Sequence, residues 1–282
     1  VNLVHGDGMG AGSPLVSHEN VSLVSFTGGT STGSIVAKSA ASSFKKLSLE
    51  LGGKNASIIF DDCNLENTVK GVVRSGFLNQ GQVCLCGSRI LVQDKIYDEF
   101  LEKFISEVES MEIGDPSDEN TKLGALISPQ HLSKIEEYIE IAKEEGGTIL
   151  TGGYPNLSKE YKNGNWISPT VIADLDVNSR CSTEEIFGPV VTIHKFTNEE
   201  EAIEIANNTR YGLAGSIWTN DIEKANRVAD SIDTGMIWIN TWLHRDLRVP
   251  FGGVKDSGVG REGGRWSLSF FSEAMNICIK HK

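Results

Sequence analysis

The feature that most restricts what this 282-residue chain can fold into is an alternation sustained along almost its whole length. Strand-length apolar runs fall at residues 21–26, 47–51, 57–60, 89–92, 170–173, 190–196, 214–219 and 235–240. Between several of them lie segments with helical spacing, at 65–77, 96–108, 132–142, 199–207 and 222–232. In the second of these, Ile96, Phe100, Phe104, Ile105 and Val108 share one face. Strands alternating with helices predict an α/β fold on a mainly parallel sheet. Residues 35–41 add a helix that exposes Lys38, and Gly/Asn/Pro clusters near 151–165 and 250–264 predict loops. The opening VNLVHG reads as a buried strand, so the parent protein is expected to be longer than the chain. Residues 275–282 alternate apolar and polar side chains, which predicts a terminal strand in need of an edge to pair with.

Composition narrows the function classes. A net charge of −12 and a pI of about 5.0 argue against a nucleic-acid binder, which shows a basic face. No apolar run approaches the roughly 20 residues of a membrane span, and no basic start followed by an apolar stretch reads as a signal peptide. The five cysteines are odd in number and suggest no disulfide framework, so a reducing, cytoplasmic setting is expected. Cys84 and Cys86 lack the CxxC or HxxxH partners of a zinc site, so no metal is expected.

Four stretches carry the candidate chemistry. In FLNQGQVCLCGSR (77–89), Cys84 sits in a polar, glycine-flanked loop between a helix and a strand. It is either a nucleophile in partly open, polar surroundings that lower its pKa or a small buried filler. Spacing does not separate it from Cys86, because in an extended loop both face the same side. In LELGGKN (49–55), Glu50 is flanked by leucines. It is either a desolvated carboxylate fit for general-base work or an edge-strand glutamate facing water. FTGGTSTG (26–33) can bring a helix N-terminus to a phosphate, but it matches neither GxGxxG nor a P-loop and reads equally as a plain connection. EEIFGP (184–189) is an irregular acidic loop or a solvated turn.

Taken in order, LELGGKN, FLNQGQVCLCGSR, EEIFGPV and PFGGVKDSGVGRE (250–262) give the chain a resemblance to the aldehyde dehydrogenase superfamily over essentially its full length. The resemblance implies a parallel-sheet catalytic domain at 52–271, preceded at 1–51 by part of a Rossmann-like cofactor domain and followed at 272–282 by an oligomerisation strand. It implies oxidation of an aldehyde to a carboxylic acid with NAD or NADP. Cys84 matches the family nucleophile and Glu50 its general base. Gly28, Gly29, Thr30, Gly33 and Leu51 match cofactor-binding positions, with Gly29 where many members have serine. Glu185 matches the glutamate that holds the nicotinamide ribose, Phe187 the aromatic beside it, and Glu262 a proton-relay glutamate. Two rivals remain open: a thiol hydrolase using Cys84, and a non-catalytic structural relative.

NTWLHRDLRVPFGG (240–253) corresponds to the family's substrate-tunnel loop, and its pattern resembles that of the muconic-semialdehyde dehydrogenases. An arginine there can grip a carboxylate, so Arg245 is expected to recognise an acidic semialdehyde such as the 2-aminomuconic or 2-hydroxymuconic one. The alternative is that Arg245 and Arg248 form structural ion pairs, with Asp246 a candidate partner. Against the family's usual length, about 200 residues are expected to be missing upstream, which would leave the chain inactive by itself. A homodimer or homotetramer through the C-terminal strand is also implied.

Overall fold

The computed structural model describes residues 1–153 and 164–281. In chain order the elements are α1 (Ser13–Ser17), β1 (Leu23–Thr27), α2 (Thr30–Ala41), β2 (Lys46–Glu50), β3 (Ala56–Ile59), α3 (Leu65–Phe77) and β4 (Arg89–Gln93). There follow α4 (Tyr97–Glu109), α5 (Pro129–Glu144), β5 (Thr148–Gly153), β6 (Ser168–Ala173), α6 (Arg180–Thr183) and β7 (Val190–Phe196). The remainder are α7 (Glu199–Asn207), β8 (Tyr211–Gly212), β9 (Ala214–Trp218), α8 (Ile222–Ser231), β10 (Met236–Ile239), β11 (Val254–Lys255), β12 (Gly258–Val259) and α9 (Gly264–Phe270).

Seven strands form the main sheet in the order β10-β9-β3-β4-β7-β6-β5, all parallel except β5, which runs antiparallel to β6. Its inner strands are apolar on both faces, as a sheet covered by helices on both sides requires. Ile59, Ile90, Val92, Val191 and Ile193 pack with Val72, Phe77, Phe100 and Phe104 of α3 and α4. From the opposite face, Ile58, Leu91 and Ile217 meet Ala202 and Ile205 of α7 and Val228 of α8. A smaller sheet, β1-β2-β12, is parallel between β1 and β2 and antiparallel between β2 and β12. Residues near the C-terminus thus complete the sheet begun near the N-terminus.

The expected α/β architecture is therefore present, and the strands and helices predicted at 57–60, 65–77, 89–92, 190–196 and 199–207 appear within a residue or so. Other expectations need correction. Residues 1–6 are exposed and form no strand, since an apolar run becomes a strand only with a ladder partner and none adjoins it. Residues 275–281 likewise form no strand within the chain, where no sheet edge reaches them. The loop expected from 151 is strand β5 as far as Gly153; residues 154–163 lie outside the described part. The glycine-rich 250–264 segment contains β11 and β12, whose pairing to β8 and β2 is long-range and leaves no periodicity.

Arg89, 2% exposed, ties the two layers together. Its guanidinium donates to Lys54 O (2.9 Å), Ile205 O (2.8 Å) and Ala206 O (2.7 Å), satisfying carbonyls in the last turn of α7. Replacing it removes three buried charge-assisted hydrogen bonds and orphans their acceptors. Arg89→Ala is expected to lower unfolding free energy by about 3 kcal/mol in urea titrations, and Arg89→Lys to recover only part of it, because one ammonium lacks the fork geometry.

Candidate active site

The site assembles around the connection from β2 to β3, residues 51–55, where the chain passes from the small sheet to the large one. Gly53 N donates to Glu185 Oε1 at 2.9 Å. A Cβ at Gly52 would lie 2.3 Å from Glu185 Oε2, and one at Gly53 would lie 2.7 Å from Cys84 O. Glycine at 53 lets the cysteine loop's backbone close on this strand end, and glycine at 52 leaves room for the Glu185 carboxylate. Asn55 then pins the cysteine loop: its Nδ2 donates to Cys84 O (2.8 Å) and Cys86 O (2.9 Å), and its Oδ1 accepts from Ala214 N of β9 (3.0 Å). Asn55 lies within the LELGGKN motif, but no sequence pattern sets its role; that comes from the groups it touches.

The cysteine loop leaves α3 through a left-handed stretch, Asn79, Gln80 and Gly81 all having positive φ. Gly81 packs directly on Gly188 O, joining this loop to the acidic one. A turn over Val83–Cys86, closed by Cys86 N donating to Val83 O at 3.0 Å, then separates the two cysteines. Cys86 is buried, whereas Cys84 is half-buried among Leu85, Leu213, Trp238 and Trp242. The expectation that both face one side fails because the loop is a turn, not an extended strand. The expected polar surroundings and lowered pKa fail too. Burial pushes the Cys84 thiol up to about 11, with Glu185 and Glu50 adding to the rise. At neutral pH the group is a thiol, and it needs a base.

Glu50 supplies the matching group. It ends β2, paired on one side with Thr27 of β1 and on the other with Gly258 of β12, so it is interior to the small sheet and 5% exposed. The water-facing alternative is thereby removed. Both carboxylate oxygens lack hydrogen-bond partners among the described residues. Burial first, then Glu262, raises its pKa to about 7, against the opposing pull of Arg261 and Arg245. Glu262 reaches this position because its backbone bridges Phe251 (2.7 and 3.0 Å) across the loop that covers Glu50.

The glycine-rich turn lies at the start of α2. Gly28 N donates to Glu50 O at 3.0 Å, Gly29 caps the helix with open space above it, and Thr30 Oγ1 donates to Asp256 O at 3.2 Å. Gly33 and Leu51 touch each other and seat α2 against the end of β2. A cleft opens between this helix and the acidic loop, bordered by Gly29, Thr30, Lys134, Glu185 and Arg210. Phe187 holds a positive φ of 63° and is 36% exposed. Two residues of α5 that the sequence reading passed over hold this loop: His131 Nε2 lies 2.6 Å from Phe187 O, and Lys134 Nζ donates to Glu185 O at 3.1 Å. Both fall on the polar face of a helix whose apolar face fixed its assignment, so periodicity carried no signal for them.

The 240–253 loop borders a separate cavity of about 460 Å³, lined by Met236, Trp238, Arg245, Phe251 and Glu262 among others. Its two arginines divide. Arg248 forms a bidentate pair with Asp246, at 2.9 and 2.5 Å, so the structural-pair alternative holds for it. Arg245 forms no ion pair among the described residues; its guanidinium lies over the Phe251 ring at 4.2 Å. It is exposed and borders the cavity, and it lies near enough to influence both Glu50 and Cys84. No group of His, Cys, Asp and Glu among the described residues could hold a metal ion.

Comparison with known proteins agrees with this arrangement. The aldehyde dehydrogenase family profile matches residues 1–277. The 2-aminomuconic semialdehyde dehydrogenase of Mus musculus is 49% identical, over all of this chain and 58% of its own length. The 2-hydroxymuconic semialdehyde dehydrogenase of Pseudomonas sp. (strain CF600) is 46% identical, over 99% of this chain and 58% of its own. The crystal structure of betaine aldehyde dehydrogenase from Staphylococcus aureus in complex with NAD+ superimposes with a TM-score of 0.91 at 44% identity, covering 93% of this chain and 52% of that one. The chain therefore spans little more than half the length of the relatives it matches. A family profile matched almost end to end, on a chain that folds its cysteine and glutamate motifs around one strand end, identifies this chain as a member of the aldehyde dehydrogenase family.

Proposed function

We propose that the protein carrying this chain oxidises an acidic semialdehyde, of the 2-aminomuconic or 2-hydroxymuconic type, to the carboxylic acid with NAD. The observation that carries the oxidation is Glu50, a buried carboxylate with both oxygens unpartnered and a pKa of about 7, set close enough to raise the pKa of the Cys84 thiol. Glu50 takes the thiol proton, and Cys84 Sγ bonds to the aldehyde carbon while the carbonyl electron pair moves to oxygen. Backbone N–H donors, that of Cys84 included, hold the resulting oxyanion. Bound NAD supplies the hydride acceptor that converts the thiohemiacetal to a thioester. Once its first proton has passed onward, Glu50 removes a proton from water, which attacks the thioester carbon; the C–S bond breaks, the acid departs, and the proton on Glu50 restores the Cys84 thiol. Glu262 is suited to carry the proton onward from Glu50, whose titration it already influences.

The start of α2 suits the pyrophosphate of a dinucleotide. The open amides at Gly29 and Thr30 begin a 12-residue helix and offer a phosphate the positive end of its dipole. Gly28 and Gly33 shape that turn, and Leu51 backs it. Glu185, which borders the cleft, would accept from ribose hydroxyls, and Phe187 would pack against the nicotinamide. NAD is favoured over NADP by the NAD+ complex of the staphylococcal relative. Neither rival from the sequence explains the site as well. The thiol hydrolase usually requires a histidine by the cysteine, and the charged groups acting on Cys84 are Glu185, Glu50 and Arg245. A non-catalytic relative has no need of both Cys84 and Glu50.

The acidic substrate rests on Arg245, the loop arginine that forms no ion pair among the described residues. Betaine aldehyde, by contrast, carries a cation that this arginine would repel. The proposal extends to a homo-oligomer: Met275, Ile277 and Ile279 are 74–82% exposed at alternate positions, the pattern of a strand whose partner lies on another subunit. No helix among the described residues is long and apolar enough to cross a membrane.

Three outcomes are expected in the full-length protein. Wild-type turnover should rise with pH through about 7 as Glu50 ionises, and Glu50→Gln should abolish that limb and cut turnover at least ~100-fold in steady-state assays. Arg245→Ala should lower kcat/KM for a dicarboxylate semialdehyde roughly tenfold while changing a neutral aldehyde of similar size by less than about threefold; equal losses on both would remove the carboxylate reading. Deleting residues 275–282 should shift the sedimentation coefficient toward the monomer; an unchanged value would place the interface elsewhere.

A further inference from the structure

Lys54 is 1% exposed, and its Nζ has no hydrogen-bond partner among the described residues. Other buried cations of this chain are satisfied: Arg89 bonds three carbonyls, and Lys45 Nζ donates to Val16 O (2.7 Å) and His18 O (2.6 Å). A buried ammonium without such partners costs stability and does nothing for the packing that an apolar chain of the same length would not do. Its place in the chain points to what it does instead. Lys54 follows Gly52 and Gly53, the residues on which the Glu185 carboxylate rests. The charged and titratable groups around it are Arg89 of β4, Cys181 of α6, Lys134 of α5, His194 of β7, and Glu184 and Glu185 of the acidic loop. Glu184 is already engaged, by the Arg180 guanidinium at 3.1 Å and the Tyr138 hydroxyl at 2.6 Å. Glu185 accepts from Gly53 N, is pushed up by burial, and is pulled down by Lys134 and Lys54.

We propose that Lys54 is a positioning residue for Glu185: buried next in the chain to the glycine that holds this carboxylate, its ammonium acts with that of Lys134 to favour the ionised Glu185 as an acceptor for the cofactor ribose. This rests on the reading of Glu185 as the ribose-binding glutamate. Because burial brings the Lys54 amine down to about 7, it carries its charge in mildly acidic solution and has lost it well above neutrality. Glu185, raised by the same burial, needs a neighbouring cation most in that acidic range.

The test is NAD affinity, read by quenching of tryptophan fluorescence in the full-length protein near pH 6 and near pH 9. Lys54→Met, close in length and free of charge, should weaken binding about tenfold near pH 6 and less than about twofold near pH 9. An equal loss at both pH values would mark a merely structural role and overturn the proposal, as would no loss at either. Glu185→Gln separates the two readings. If it weakens NAD while Lys54→Met does not, the Lys54 role alone fails; if it leaves NAD affinity intact, the ribose reading fails and takes the Lys54 role with it. A carboxyl NMR titration gives a readout independent of cofactor: the Glu185 carboxyl should titrate higher in Lys54→Met than in wild type, and an unmoved midpoint would overturn the proposal.

Discussion

Everything in the site depends on the absence of two side chains. Gly52 and Gly53 let the Glu185 carboxylate and the Cys84 carbonyl approach the β2–β3 connection to distances at which any Cβ would collide. That approach makes one short segment the common wall of three functions. Its upstream end holds Glu50, its middle carries Glu185 through a backbone N–H, and its downstream end fixes the Cys84 turn through Asn55. A side chain at Gly53 would press on the backbone of the cysteine loop, and one at Gly52 would push the Glu185 carboxylate off this strand end.

The electrostatics follow from that closeness. Burial raises the pKa of the thiol and of the carboxylate alike, and Glu50 adds to the rise at Cys84. The consequence is a site with few charges at rest: a neutral thiol, and a glutamate balanced near neutrality that can pass between acid and base. Arg245 acts on both groups and Glu262 on Glu50, so residues bordering the second cavity also tune the carboxylate.

Much of the fold could be read from the chain because its central strands are buried on both faces and its helices are amphipathic. The runs around Ile58, Leu91 and Ile193, and the stripe through Phe100 and Phe104, owe their pattern to that geometry. What escaped the reading has the opposite character. Strands β8, β11 and β12 are two residues long and held by partners far away in sequence. The apolar ends at 1–6 and 275–281 look like strands, yet a strand exists only where another offers its hydrogen bonds. Among site residues, Cys84 and Glu50 stood out as reactive groups in unusual settings. Asn55, His131, Lys134 and Lys54 did not, because their importance lies in what they touch.

By itself the sequence determined the α/β class, the family, and the residue types available for nucleophile, base and cofactor cleft, since these are written in periodicity and in motif order. Only the tertiary structure decided which alternatives hold. It turned Cys84 and Cys86 to different environments, buried Glu50 between two strands, paired Arg248 with Asp246, and left Arg245 over Phe251. Desolvation and charge–charge coupling arise from atoms brought together across the fold. A pKa, an unpartnered ammonium or an unpaired arginine therefore has no local sequence signature.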